Sequence, residues 1–225
     1  MTMIQPTDRA ARLTNLYTSA LALLAWAALL LQLYLTIRQS QARGVGAAAA
    51  AWLYFAFFTV LTNILAALTL TWPLVRPLSA AGRFFARPDV VTAVATNIIL
   101  VGISYNLLLR NAWNPQGLQL LADVLLHDVL PVAFVVYWWL IASRSAHRYA
   151  DIARWAVYPA VYFIYALLRG AGSGFYAYPF IDVAHLGYAR VLGNALGILA
   201  GFVIIAAILI AIGRTRARRR GGGVD

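Results

Sequence analysis

An aspartate and a histidine four residues apart, Asp123 and His127, lie inside a run that is otherwise apolar enough to cross a membrane. Residues 122–131 add a second carboxylate, Asp128, and a proline, Pro131. Residues at i and i+4 share one face of a helix. A carboxylate placed there can orient an imidazole and stabilise its protonated form. A charge at bilayer depth costs at least about 2.5–3.5 kcal/mol on insertion scales, so such groups normally face the bundle interior and mark a working site. The chemistry on offer is proton transfer by His127 with Asp123 steadying the ring. The competing reading of His127 is a structural hydrogen bond to a neighbouring helix.

The elements that must carry these groups follow from composition. The chain has 225 residues, 63% of them hydrophobic, and a mean hydropathy of +0.76. Several apolar runs exceed the ~18 residues that mark a spanning helix, so the expected class is an all-α polytopic membrane protein. With no cysteine, disulfides, thiolate nucleophiles and thiolate metal sites are excluded. All 18 basic residues are arginine, without Lys or Glu, a bias that GC-rich bacterial coding produces and that points to a bacterial plasma membrane. The first apolar run is too long for a cleavable signal peptide and lacks a small-residue cleavage site.

Six spans are predicted, at about residues 15–37, 47–72, 90–109, 118–142, 152–169 and 190–212, with a basic tail at 213–225. The fifth is short for a span, and arginine placement decides its case. With six spans, thirteen arginines share the side of both termini: two in the N-terminal segment, three in each of the second and fourth loops, and five in the tail. Five remain on the other side. Without the fifth span the division would be ten to eight. The positive-inside rule therefore favours six helices in one domain with both ends cytoplasmic. The net charge of +11 is then explained by topology and anionic lipid headgroups rather than by nucleic acid.

On that topology the buried polar residues converge on the outer half of the bilayer. At about 1.5 Å per residue, His127 lies roughly 13 Å below the outer edge of its helix and Thr59 roughly 15–18 Å below the start of its own. Thr62 is about a turn deeper. Asn63 follows Thr62, and Ser104 and Asn106 close the third span. Arg169 closes the fifth, ahead of the loop with Tyr178 and Asp182. Tyr158, Tyr162, Tyr165 and Arg169 share a helical face, read first as an aromatic packing stripe and second as a cavity wall in which Asp182 neutralises Arg169. His147 falls in a basic loop and is expected to be solvated. His185 and Asp182 with His127 and Asp123 would make a zinc- or manganese-type ligand set, though without tight His spacing, so no metal or other cofactor is expected. Gly193, Gly197 and Gly201 give a small-xxx-small stripe, expected to pack inside the molecule, with a homo-oligomer seam as the alternative.

Three segments carry a family resemblance: Phe57-Phe58-Thr59, His127 to Leu130-Pro131, and Gly174-Phe175-Tyr176-Ala177-Tyr178-Pro179-Phe180-Ile181-Asp182. In this order they resemble the androgen-induced and androgen-dependent family of multi-spanning membrane proteins, over about residues 50–200. Animal members hydrolyse fatty-acid esters of hydroxy fatty acids with a Thr nucleophile and a His. The resemblance implies Thr59 as nucleophile, with Thr62 an alternative alignment, and His127 as base. Asp123 would steady the imidazolium, and Asn63 or Asn106 would donate to the oxyanion. Substrate contacts would then fall to Thr62, Asn63, Asn106, Arg169, Tyr178 and Asp182, and the partners would be membrane lipids and a lipid ester. A second reading is a non-enzymatic lipid- or small-molecule-binding protein, or a transporter, with the same polar cavity; against transport stands the absence of inverted repeats and of a Gly/Pro-broken helix pair. A third is a metal-dependent membrane hydrolase.

Overall fold

A computed structural model of the chain describes residues 6–221. They form helices and turns, with no strand among the described residues. Five helical stretches are long and apolar enough to cross a membrane: Arg9–Gln41, Phe58–Val75, Pro88–Leu109, Leu118–Ile141 and Val183–Arg219. In chain order the helices are α1 (Pro6–Gln41), α2 (Ala47–Tyr54), α3 (Phe58–Val75), α4 (Ala80–Phe85) and α5 (Pro88–Ser104). They continue with α6 (Leu118–Val124), α7 (Leu130–Ile141), α8 (Asp151–Trp155), α9 (Val157–Ser173) and α10 (Val183–Gly221). The apolar core gathers around α3 and α5, with Leu70, Ile98, Phe134, Trp138, Phe202 and Ile210 all fully enclosed.

Four departures from the sequence expectation matter. The segment at 47–72 is two helices, not one: the chain leaves helical geometry after Tyr54, and α3 restarts at Phe58 after an extended Phe57. Thr59 therefore lies in the first turn of a helix rather than several turns down one, and its depth counted along a continuous helix does not hold. The break occurs without Gly or Pro, in a run of bulky aromatics, and is repaired from α9. Tyr162 Oη donates to the carbonyl of Ala56 at 2.9 Å, and Tyr165 Oη to that of Phe55 at 3.2 Å. Irregular backbone in apolar surroundings is tolerated only where protein satisfies it, so the tyrosine stripe of α9 is the structural counterpart of the break.

The region expected as a short fifth span is the five-residue α8 followed by the 17-residue α9. Of the region expected as a basic tail, residues 213–221 continue α10, with Arg214 5.2 Å from the Tyr149 ring and Arg216 3.4 Å from that of Trp139, and the rest lies outside the described residues. Finally, the glycine stripe does not pack inward. A Cβ on Gly193 or Gly197 would meet nothing, and on Gly201 only Leu100 at 3.9 Å.

Two wide π turns, Tyr105–Leu109 and Leu125–Val129, close α5 and join α6 to α7. The second ends just before Pro131, which has no N–H to give the carbonyl of His127. Such π segments recur at functional sites. Gly102 lets α5 settle onto this irregular stretch, since a Cβ there would lie 3.1 Å from the His127 carbonyl oxygen and 3.2 Å from Pro131. One turn further along α5, Tyr105 comes to rest over the His127 ring.

Candidate functional site

His127 is held from three directions. Its Nδ1 lies 2.9 Å from the Asp123 carbonyl oxygen, one turn back, and 3.2 Å from Asp123 Oδ1, which is less well aligned. A carbonyl only accepts, so the proton sits on Nδ1, and the neutral ring carries its lone pair on Nε2. The Tyr105 ring stacks on the imidazole at 3.8 Å and 15°. Tyr105 Oη in turn donates to Asp123 Oδ2 at 2.5 Å and accepts from Trp113 Nε1 at 3.3 Å. Asp123 is buried, and Tyr105 and Trp113 complete the arrangement around it.

Thr59 is buried at the head of α3. The first amides of a helix have no partner inside it, and Phe57 supplies no side-chain cap. Tyr178 Oη takes that place, accepting from the Thr59 amide at 3.3 Å with the Thr59 hydroxyl 3.5 Å away. Asn63 is fully enclosed, and its amide nitrogen is shared between the carbonyls of Thr59 at 2.9 Å and Leu126 at 3.2 Å. It thus ties α3 to the π turn of His127 and has no hydrogen left for an oxyanion. Thr62, also enclosed, faces Tyr158 Oη at 3.1 Å.

These groups border two cavities. An apolar one of about 450 Å³ lies between α5, α9 and α10, lined by residues such as Leu100, Phe163, Phe180, Leu196 and Phe202. A more polar one of about 350 Å³ lies between α1, α3 and α6 and holds Asp123, His127, Gln32, Gln119 and Trp113. Thr59, Tyr105, Leu109 and Tyr178 line both, so Thr59 stands where the two cavities adjoin. Thr59 and His127 share the polar chamber, and no hydrogen bond among the described residues joins them directly.

Comparison with protein-family models, with curated proteins and with solved structures finds no match. Function must therefore be read from the geometry of the site itself.

Of the residues expected at the site, Thr59, Asp123, His127 and Tyr178 come together, with Thr62 and Asn63 packed behind Thr59. Three do not join them. Asn106 is exposed and engaged with Asp128 at 2.9 Å and Arg110 at 2.6 Å, because Arg110 and Asp128 form a bidentate pair at the bundle end. Arg169 stacks on Trp52 at 4.3 Å and donates to Tyr165 at 3.1 Å. It does not meet Asp182, whose carboxylate instead receives His185 Nδ1 at 2.7 Å. Burial alone would raise the Asp182 carboxyl, but the His185 contact outweighs it and holds the group below its ordinary value. The four residues considered as a metal set stay in two separate pairs, and no group of three such ligands forms among the described residues. His147, expected to be solvated, is docked, with Nε2 3.2 Å from Thr92 Oγ1.

The sequence reading missed Tyr105, Trp113 and the amide row on α1 and α6. A signal was present: Gln32, Thr36 and Gln39 are polar at helical spacing within an apolar helix. They form a ladder in which Gln39 Nε2 donates to Gln119 Oε1 at 3.0 Å and Gln119 Nε2 to Gln32 Oε1 at 3.0 Å.

Proposed function

We propose that this protein is an intramembrane hydrolase of lipid esters, in which Thr59 attacks the ester carbonyl and His127 moves the proton. The observation that carries the reading is Thr59's position between an apolar chamber suited to an acyl chain and a polar chamber holding a base with a free Nε2. His127 takes the Thr59 hydroxyl proton as the Oγ1–carbonyl bond forms, directly or through one water. It returns the proton to the leaving alcohol oxygen, and water then releases the acid from the threonine ester by the same route. Developing charge on the carbonyl oxygen falls at the head of α3, where helix amides favour an anion and Tyr178 Oη already receives the Thr59 amide. The Tyr178 hydroxyl stands beside it as a donor. Asp123 and Tyr105 fix the imidazole, and Asn63 fixes α3 against the turn that carries it. The resemblance of three segments to the androgen-induced family supports the same assignment.

The proposed setting is six crossings of a bacterial plasma membrane with both ends cytoplasmic. Its supports are the thirteen-to-five division of arginines and the course of α8–α9. That pair begins beside the Arg154–Asp89 ion pair and ends with Arg169 on Trp52. The chain lacks cysteine, so single cysteines introduced at Arg148 and Tyr176 should label from opposite faces; labelling from one face ends the six-crossing arrangement.

Protein in lipid nanodiscs is expected to cleave a long-chain lipid ester, and Thr59→Ala or His127→Ala to abolish cleavage without unfolding the protein. A phosphonate probe should label Thr59, and chelators should have no effect. Label on Thr62 would move the nucleophile by one turn. Loss of activity with chelator would favour metal-dependent hydrolysis. The absence of a direct Thr59–His127 bond favours a second reading, lipid binding without cleavage. Intact lipid retained by a protein that the probe leaves unlabelled would establish that alternative.

A further inference from the structure

We propose that the polar chamber receives an uncharged, hydroxyl-rich head group, a glycerol or a sugar carried on an acyl chain, and discriminates against phosphate and free carboxylate heads. The inference rests on the lipid reading above but not on cleavage. It starts from what lines the chamber. Gln32, Thr36, Gln39, Gln119 and Trp113 surround the approach to Asp123 and His127, and no arginine lines it among the described residues. The basic group stacked near its wall, Arg110, is spent on Asp128 at 2.5 and 2.6 Å and on Asn106 at 2.6 Å. The chamber's carboxylate, Asp123, is buried with Tyr105 and His127. An anionic head group would therefore leave water for a site with an acid in its wall and no fixed cation to receive it, the His127 imidazole already facing Asp123, which is unfavourable unless the charge is paired.

The amide ladder matches a neutral polyol instead. A primary amide offers two N–H donors and a carbonyl acceptor, and a hydroxyl both gives and accepts. Within the ladder each of Gln39 and Gln119 spends one N–H on its neighbour, and Gln32 turns toward Thr36 Oγ1 at 3.3 Å. Each amide keeps a second N–H, and each carbonyl oxygen a second lone pair, for a ligand. The ladder spans α1 and α6, so the two helices present a fixed row of alternating donors and acceptors. A phosphate, which only accepts, would leave the row's carbonyls facing its oxygens. The adjoining apolar chamber then takes the chain of the same molecule.

The test uses the full chain in phosphatidylcholine nanodiscs and a radiolabelled 1-O-hexadecylglycerol, an ether that no hydrolase can cleave. Saturable retention is expected, with hexadecylglycerol 3-phosphate and palmitate competing at least about tenfold more weakly. Hexadecyl glucoside competing better or worse than unlabelled hexadecylglycerol identifies sugar or glycerol as the source of the head group. Gln119→Leu and Gln32→Leu should each weaken retention about twofold to tenfold, the range for one or two neutral hydrogen bonds. Gln119→Arg should shift the preference toward the phosphate. Equal or better competition by the phosphate, or no saturable retention, overturns the inference. Retention without cleavage of the matching ester would sink the hydrolase reading and leave this one standing. Cleavage that ignores the head group would do the reverse.

Discussion

Two partly buried histidines lie near opposite ends of α5, and of the two cavities described above one is bordered by His127 and neither by His147. His147 lies near the start of the helix, its ring edge against Trp155 at 5.4 Å. Its Nε2 faces Thr92 Oγ1, which gives its own proton to the Pro88 carbonyl at 2.7 Å and accepts from Trp138 Nε1 at 3.0 Å. Nε2 must therefore be the donor. His127, at the other end, is held just as firmly through Nδ1 and the Tyr105 stack, but its ring borders a chamber. Both histidines have burial and acidic neighbours. Each ring has one nitrogen engaged, so on the proposed reading it is the space for a ligand beside His127 that separates a working histidine from a packing one.

The largest effect should come from exchanging the two deletions. His127→Ala is expected to lower turnover of a lipid ester by about 10²–10⁴-fold, the usual contribution of a general base, with melting in detergent nearly unchanged. His147→Ala should do the opposite, costing about 1–3 kcal/mol of stability while activity per folded molecule persists. Thr59→Ala combined with His127→Ala should be no worse than either alone, because nucleophile and base act as a unit. Turnover assays beside thermal unfolding decide it. Activity surviving His127→Ala but not His147→Ala would invert the comparison.

A second prediction concerns what aims the ring. Gly102→Val puts side-chain atoms against the His127 carbonyl and Pro131, and should push α5 and its Tyr105 away from the imidazole. Displacements near 1 Å can cost about 10²-fold in rate, so kcat should fall far more than binding of a non-cleavable ether lipid. Tyr105→Phe, which keeps the stack and loses the hydrogen bond to Asp123, should cost less. Equal loss of binding in both variants would mean that Tyr105 shapes the chamber rather than orients the histidine.

Why the sequence exposed one histidine and hid the other's setting is a matter of range. Asp123 and His127 are a local pair, four apart on one helix, so spacing was enough to join them. The long apolar runs were equally local, and all-helical architecture followed from them. Tyr105 reaches Asp123 from another helix, Tyr178 reaches Thr59 across 119 residues, and Gln119 meets Gln32 across 87. No periodicity reports such meetings. The break at residues 55–57 was invisible for a different reason. It uses neither Gly nor Pro, and its stability comes from hydroxyls on α9 that only the fold delivers. Asn106 and Arg169 misled because they occupy the right end of the bundle but spend their polar groups on nearer partners, Asp128 and Arg110 in one case, Tyr165 and Trp52 in the other.

The broken helix supplies a smaller test of the same contrast between satisfied and unsatisfied groups. Tyr162→Phe removes the donor to the buried Ala56 carbonyl, and leaving such a group unmet costs about 1–3 kcal/mol. Tyr165→Phe, whose bond to Phe55 is more exposed, should cost less. Thermal unfolding gives the totals, and hydrogen exchange should show faster exchange at residues 55–61 than elsewhere in α3. Uniform exchange along α3 would mean that the break is held by its aromatic packing and not by these hydroxyls.

The smallest expected effect is in pH, and it separates the two histidines without touching the site. Burial holds the His147 imidazolium below its ordinary value, opposed by Asp151 and Asp89 and reinforced by Arg154. With the folded value depressed, the unfolded chain binds more protons in the interval below about pH 6.5, the ordinary histidine value. Stability from this group is therefore complete above that pH and is lost as the pH falls from about 6.5 toward the folded value. Carboxylates titrate mainly below about pH 4.5, which leaves the interval between largely to histidine. Melting temperature should be flat from about pH 9 to about 7 and decline through that interval. His147→Gln, which keeps an N–H for Thr92 but cannot titrate, should flatten the decline while leaving the activity profile in place. If the variant keeps the full slope, the packed end of α5 is not where this protein responds to protons.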